Sequence, residues 1–183
     1  MVNAKWCFWL AAGLSLLAVS APAQEENGQA ALPRSFRELR LGMGLDDLKS
    51  VLQQDELFRF RGDRDVSFLP FREQSLVETT GATYIRRAFF QLREGELFIM
   101  AFSLDSGMVD HYSVYTSFVK KYGEPASLSP AEAVWENDDT RIAIERPLTV
   151  KYIDKKVFND IIAESKAAES SELKQREDFL NDF

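Results

Sequence analysis

The stretch Tyr84-Ile-Arg-Arg-Ala-Phe-Phe-Gln-Leu-Arg-Glu-Gly-Glu-Leu-Phe-Ile-Met-Ala-Phe-Ser-Leu104 decides the fold. Two β-rich runs, 84–92 and 97–104, flank Glu94-Gly95-Glu96, where glycine supplies the permissive turn residue. They predict an antiparallel hairpin. Within Arg86-Arg-Ala-Phe-Phe90 and Phe98-Ile-Met-Ala-Phe102, apolar residues fall on both strand faces. Such runs imply cover on both sides of a sheet. Loops or a C-terminal helix can supply that cover; the other reading is a groove that receives a partner or an apolar ligand.

Upstream of the hairpin, Leu45, Leu48, Val51 and Leu52 follow helical spacing, with Asp46 and Asp47 in the first turn, where negative charge suits the helix dipole. That helix is expected to end near Asp55. The period then changes to two. Phe58-Arg-Phe-Arg-Gly-Asp-Arg-Asp-Val-Ser-Phe-Leu-Pro-Phe71 reads as two strands turning at Gly62-Asp63, with Phe60 and Phe68 on the apolar face. It contains Arg61-Gly62-Asp63, the tripeptide that adhesion receptors read, but turn chemistry accounts for it and it is read as the turn of a hairpin.

Downstream, the cycle repeats. Tyr112, Tyr115, Phe118, Val119 and Tyr122 sit at helical spacing after an Asp110 N-cap, and Gly123 and Pro125 stop the helix. Residues 133–136 and 140–145 form a hairpin around Asn137-Asp-Asp139, and 148–153 alternate as a third strand. Gly42-Met43 and Gly107-Met108 open the two cycles, 65 residues apart. Two helix-plus-meander units predict an α+β fold with an antiparallel sheet and helices on one face. The expected organisation is a signal peptide over 1–23, a flexible leader over 24–34 and one domain over 35–162. That domain holds two pseudo-repeats, about 35–105 and 106–162. A charged tail, 163–183, is either a solvated helix or disordered.

The signal reading rests on Lys5, the apolar run Trp6–Val19 and an Ala21-x-Ala23 cleavage pattern. Cleavage after Ala23 leaves 160 residues without the only cysteine, Cys7. Disulfides, thiol catalysis and cysteine metal sites are then excluded. Nothing after residue 23 is apolar enough to span a bilayer, so the expected location is the periplasm or beyond. The formal charge is −7, and losing Lys5 makes it −8. An acidic chain argues against nucleic-acid binding.

Catalytic chemistry is sparse. The only histidine, His111, opens an amphipathic helix and reads as a boundary residue rather than a base. No nucleophile elbow, phosphate loop or dinucleotide fingerprint occurs. Asp138-Asp139 fall in a turn, where aspartate serves geometry. No catalytic, cofactor or metal residue is therefore assigned, and the protein is expected not to be an enzyme. One candidate partner site stands out. After the polar run 164–177 come Phe179, Leu180 and Phe183, which would share a face of a short amphipathic helix that either docks into a partner's groove or folds back onto the chain's own sheet.

The helix start from Gly42-Met43 to Leu48, followed by an antiparallel meander, resembles two groups of small secreted α+β domains. One is the SmpA/OmlA (BamE-like) outer-membrane assembly lipoproteins; the other is the tandem-repeat fold of the β-lactamase inhibitory protein. The likeness is one of layout over about residues 36–153. It implies a binding protein without catalysis and carries over no functional residue. The lipoproteins bear a cysteine at the cleavage point, whereas Cys7 lies inside the apolar run. The inhibitor bears disulfides, which the mature chain cannot form. The resulting expectation is a periplasmic protein acting through an envelope protein partner, with a carrier of a small apolar ligand as the alternative.

Overall fold

The computed structural model describes residues 32–69 and 73–181. The expected signal lies outside them. A two-stranded ribbon, β1 (Ser35–Phe36) and β2 (Leu39–Arg40), precedes helix α1 (Leu45–Gln54). A 3-10 turn (Gly62–Asp65) leads to β3 (Val66–Leu69), β4 (Gln74–Thr80), β5 (Ile85–Arg93) and β6 (Glu96–Leu104). Then come α2 (His111–Tyr122), β7 (Ser127–Leu128), β8 (Glu132–Glu136), β9 (Thr140–Glu145), β10 (Thr149–Asp154) and α3 (Lys155–Asn181). The fold is α+β.

All eight strands from β3 to β10 join one antiparallel sheet in the order β3-β4-β5-β6-β10-β9-β8-β7. Each half is a meander that follows its own helix. The halves meet at the seam between β6 and β10, where Phe102 lies opposite Val150 and Met100 opposite Tyr152. The last strand of each half therefore builds the centre of the sheet.

One face of the sheet carries the core. Phe90, Met100 and Phe102 from the first half pack in one cluster with Trp135, Ile142, Ile144 and Tyr152 from the second. Leu48 and Leu52 of α1 and Val114 of α2 close it from above. Phe102 is the hub, with ring centroids 4.5 Å from Phe36, 5.9 Å from Phe90 and 6.2 Å from both Phe58 and Tyr152. Trp135 has the equivalent place under α2, 6.0 Å from Tyr115 and 5.5 Å from Phe118. Its indole N–H donates to the Gly123 carbonyl at 2.8 Å, tying the end of α2 to β8.

The other face accounts for the apolar runs differently from the cover expected. Ala101, Val134, Ala143 and Ile153 are buried but lie outside the core cluster, as strand alternation requires. Long ion-paired side chains surround them: Arg87–Glu78 at 3.1 Å, Arg141–Glu132 at 3.1 Å and Lys151–Glu145 at 2.7 Å. Glu132 and Glu145 stand directly opposite each other, a repulsive pairing that Arg141 and Lys151 offset from neighbouring positions. The aliphatic stems of these residues help cover the small side chains between them. Helix α3 covers only one end.

Two expectations are corrected. Residues 58–68 are not a hairpin. Phe58 makes an isolated bridge to Gly81, and the chain then enters the 3-10 turn. The cause is Asp65, whose buried carboxylate accepts the Arg61 backbone N–H at 2.9 Å and the Arg61 guanidinium at 2.6 and 2.9 Å. Strand β3 pairs instead with β4 at the sheet edge, leaving Phe68 72% exposed, while Phe60 packs half-buried on the core. The leader expected over 24–34 also ends earlier. Leu32 is buried in the core, and the Arg34 guanidinium pairs with Asp154 at the start of α3.

Candidate functional site

The residues that the sequence nominates lie on α3. Its first turns are anchored. Asp154 caps the helix, accepting the Val157 N–H at 3.1 Å, and Val157, Phe158 and Ile161 are half-buried. Burial alone would raise the Asp154 carboxyl, but the hydrogen bonds from Arg34 and the Val157 N–H outweigh it and hold it below its ordinary value. Arg93, at the end of β5, reaches Glu164 at 2.6 Å. A depression of about 470 Å³ runs beneath these turns, with Phe98 and Val157 in its lining beside Glu94, Glu96, Asp160 and Glu164.

Past Ser165 the helix has only exposed residues up to Asn181. Leu173, Phe179 and Leu180 are 54%, 60% and 58% exposed. Phe179 and Leu180 thus stand on an exposed helix end, and Phe183 lies outside the described residues. Glu177 and Asp178 precede them, and no basic residue occupies the last turn. Acidic groups there face the negative end of the helix dipole, an arrangement that a nearby cation would relieve.

A second feature lies over the seam. Because α1 sits above the first half and α2 above the second, no helix covers β6 and β10 where they meet. The β1–β2 ribbon fills part of that space and leaves a groove of about 380 Å³. Phe102, Leu104, Val150 and Tyr152 form its floor, Phe36 one wall, and Val114, Phe118 and Tyr122 the other. Arg37 and Lys121 are the cations in its lining. The Arg37 Nε–H donates to the Asp55 carboxylate at 2.9 Å, which fixes the ribbon to the end of α1. Burial pushes the Tyr152 phenol up, with the neighbouring Tyr122 adding to it, and burial also raises Tyr122. Both hydroxyls stay protonated at neutral pH.

Sequence reading expected an apolar space between sheet and helices and, of these residues, tied only Phe102 to a groove. They come from 35–37, 102–104, 114–122 and 150–152, and only the seam pairing brings them together. The one available signal was the aromatic content of each segment.

The remaining motifs assemble no site. His111 is half-buried at the first position of α2, beside an Asp110 cap that accepts the Ser113 N–H at 2.9 Å and hydroxyl at 2.6 Å. Asn137 and Asp139 shape the β8–β9 turn, with the Asn137 side-chain carbonyl accepting the Asp139 and Thr140 N–H groups. In Arg61-Gly62-Asp63, Arg61 is tied to Asp65, and Asp63 to Lys49 at 2.8 Å. Among the described residues, no group of three histidine, cysteine, aspartate or glutamate side chains is placed to hold a metal ion. Nor is any described helix long and apolar enough to cross a membrane.

A family model, the TP0088 domain, matches residues 34–164. No curated protein matches the chain, and no solved structure does.

Proposed function

The chain belongs to the TP0088 domain family, and from that footing we propose that it is a non-enzymatic protein of the periplasm whose work is contact with another envelope protein. The matched span holds the whole sheet, α1, α2 and the first turns of α3. The family domain is the scaffold, and the helix beyond residue 164 is what it presents.

The observation that carries this reading is α3 itself. It runs for 27 residues without one buried side chain, and its far half exposes Leu173, Phe179 and Leu180. Packing of an apolar stripe usually supplies most of a helix's stability, and Leu173, Phe179 and Leu180 each keep more than half of their surface exposed. A groove in a partner protein, apolar at its floor and basic at its rim, would bury them and answer Glu177 and Asp178.

The test is site-specific crosslinking in intact cells, with a photoreactive residue at position 173, at 180, or at the exposed Gln91 on the sheet. Positions 173 and 180 are expected to yield one discrete adduct that Phe179→Asp abolishes, and position 91 none. Monomer alone from every position, or the same adducts from position 91, would overturn the reading.

A further inference from the structure

The seam groove is a separate site from the end of α3. We propose that it binds a single-chain fatty carboxylate, with the alkyl chain over Phe102, Val150 and Tyr152 and the head group between Arg37 and Lys121. At about 380 Å³ it lies at the small end of ligand pockets, which run from about 300 to 1,000 Å³. That size suits one alkyl chain and not two. Aliphatic and aromatic side chains form its floor and walls, with Ser35, Arg37 and Lys121 also in the lining.

The charge balance at the rim selects the head group. Arg37 contributes one positive charge and Lys121 another, while Asp55, held by Arg37, removes one. One positive charge remains for the ligand to neutralise. Among the described residues Lys121 has no carboxylate partner. A monoanion balances the site. The Tyr122 phenol in the same lining stays protonated and is a hydrogen-bond donor.

Arg37 stands in the turn between β1 and β2. Its φ is +55°, left-handed space that non-glycine residues enter uncommonly. A two-residue turn between antiparallel strands requires that conformation. The turn sets Arg37 in the groove lining, and Asp55 holds its guanidinium.

Calorimetry of the purified protein with laurate, below its micelle concentration, tests the assignment against dodecanol and dodecyl phosphate. Laurate is expected to bind at one per chain, with dodecanol about fivefold weaker, the loss expected of one partly exposed charge contact. Lys121→Glu should weaken laurate by at least about the same factor, leave dodecanol unchanged and preserve the unfolding midpoint. Binding of laurate should also fall as salt rises. Equal affinity for laurate and dodecanol would remove the carboxylate from the assignment. Tighter binding of dodecyl phosphate would replace it, and no binding of any of the three would end the proposal. None of these outcomes touches the crosslinks expected from α3.

Discussion

Helix α2 turns Val114, Tyr115, Phe118, Val119 and Tyr122 toward the sheet, an apolar stripe at three- and four-residue spacing. It is 12 residues long, capped by Asp110 and closed by Gly123 at φ +79°. Helix α3 is more than twice as long and, beyond Ile161, has no comparable stripe. The contrast separates length from anchorage. What holds α2 is a dense set of aromatic contacts with Trp135, whereas the far half of α3 relies on the intrinsic helix propensity of its Ala, Glu, Lys and Gln residues. One helix is part of the core, and the other is presented by it.

The contrast breaks most clearly at the core under the anchored helices. Phe102→Ala removes the ring at the centre of the aromatic cluster and is expected to cost about 3–5 kcal/mol in urea unfolding. A cost near zero would mean that the seam does not hold the two halves together. Next in size is Gly81→Ala, where the new Cβ would stand 2.1 Å from the Ile85 carbonyl oxygen. The β4–β5 connection must shift to admit it, at about 1–3 kcal/mol. Asp154→Ala should cost about 1 kcal/mol, because it removes the cap of α3 and the tie to Arg34.

Acid tests the same capping carboxylate without mutation. Asp154 has a lowered folded value, so its contribution is fully present above the ordinary value of 3.8 and is lost as pH falls through the folded one. Hydrogen exchange at residues 155–158 should rise in that range and not above it. The smallest effect belongs to the presented helix. Deleting residues 169–181 should leave the unfolding midpoint within about 0.5 kcal/mol of the intact chain. A larger fall would mean that α3 stabilises the domain, and the contrast with α2 would fail.

Much of this was legible. The 85–104 hairpin, the α2 caps and the β8–β9 turn each combine strong periodicity with a specific turn or cap residue, and the structure places them where those signals fall. Strand β4 was not legible, because its inward positions are Ser75, Val77 and Thr79, and two buried polar residues erase the alternation. Phe68 misled for the opposite reason. Its period was right, but the 3-10 turn held by Asp65 carries it to an edge that no pattern marks. The end of α3 could be nominated because Phe179 and Leu180 interrupt a polar run. The groove could not, since it exists only after distant segments pair.

That pairing also sets an order of events. Val150 stands 48 residues beyond Phe102, yet the two are neighbours, and β10 is the last strand of the sheet to be synthesised. Until residues 149–154 emerge, β6 and β9 each present an unsatisfied edge, and such edges recruit foreign strands. A nascent chain halted before residue 149 is therefore two sticky half-sheets rather than a shortened domain. Quality control that acts on this protein during synthesis has its widest window before β10 arrives.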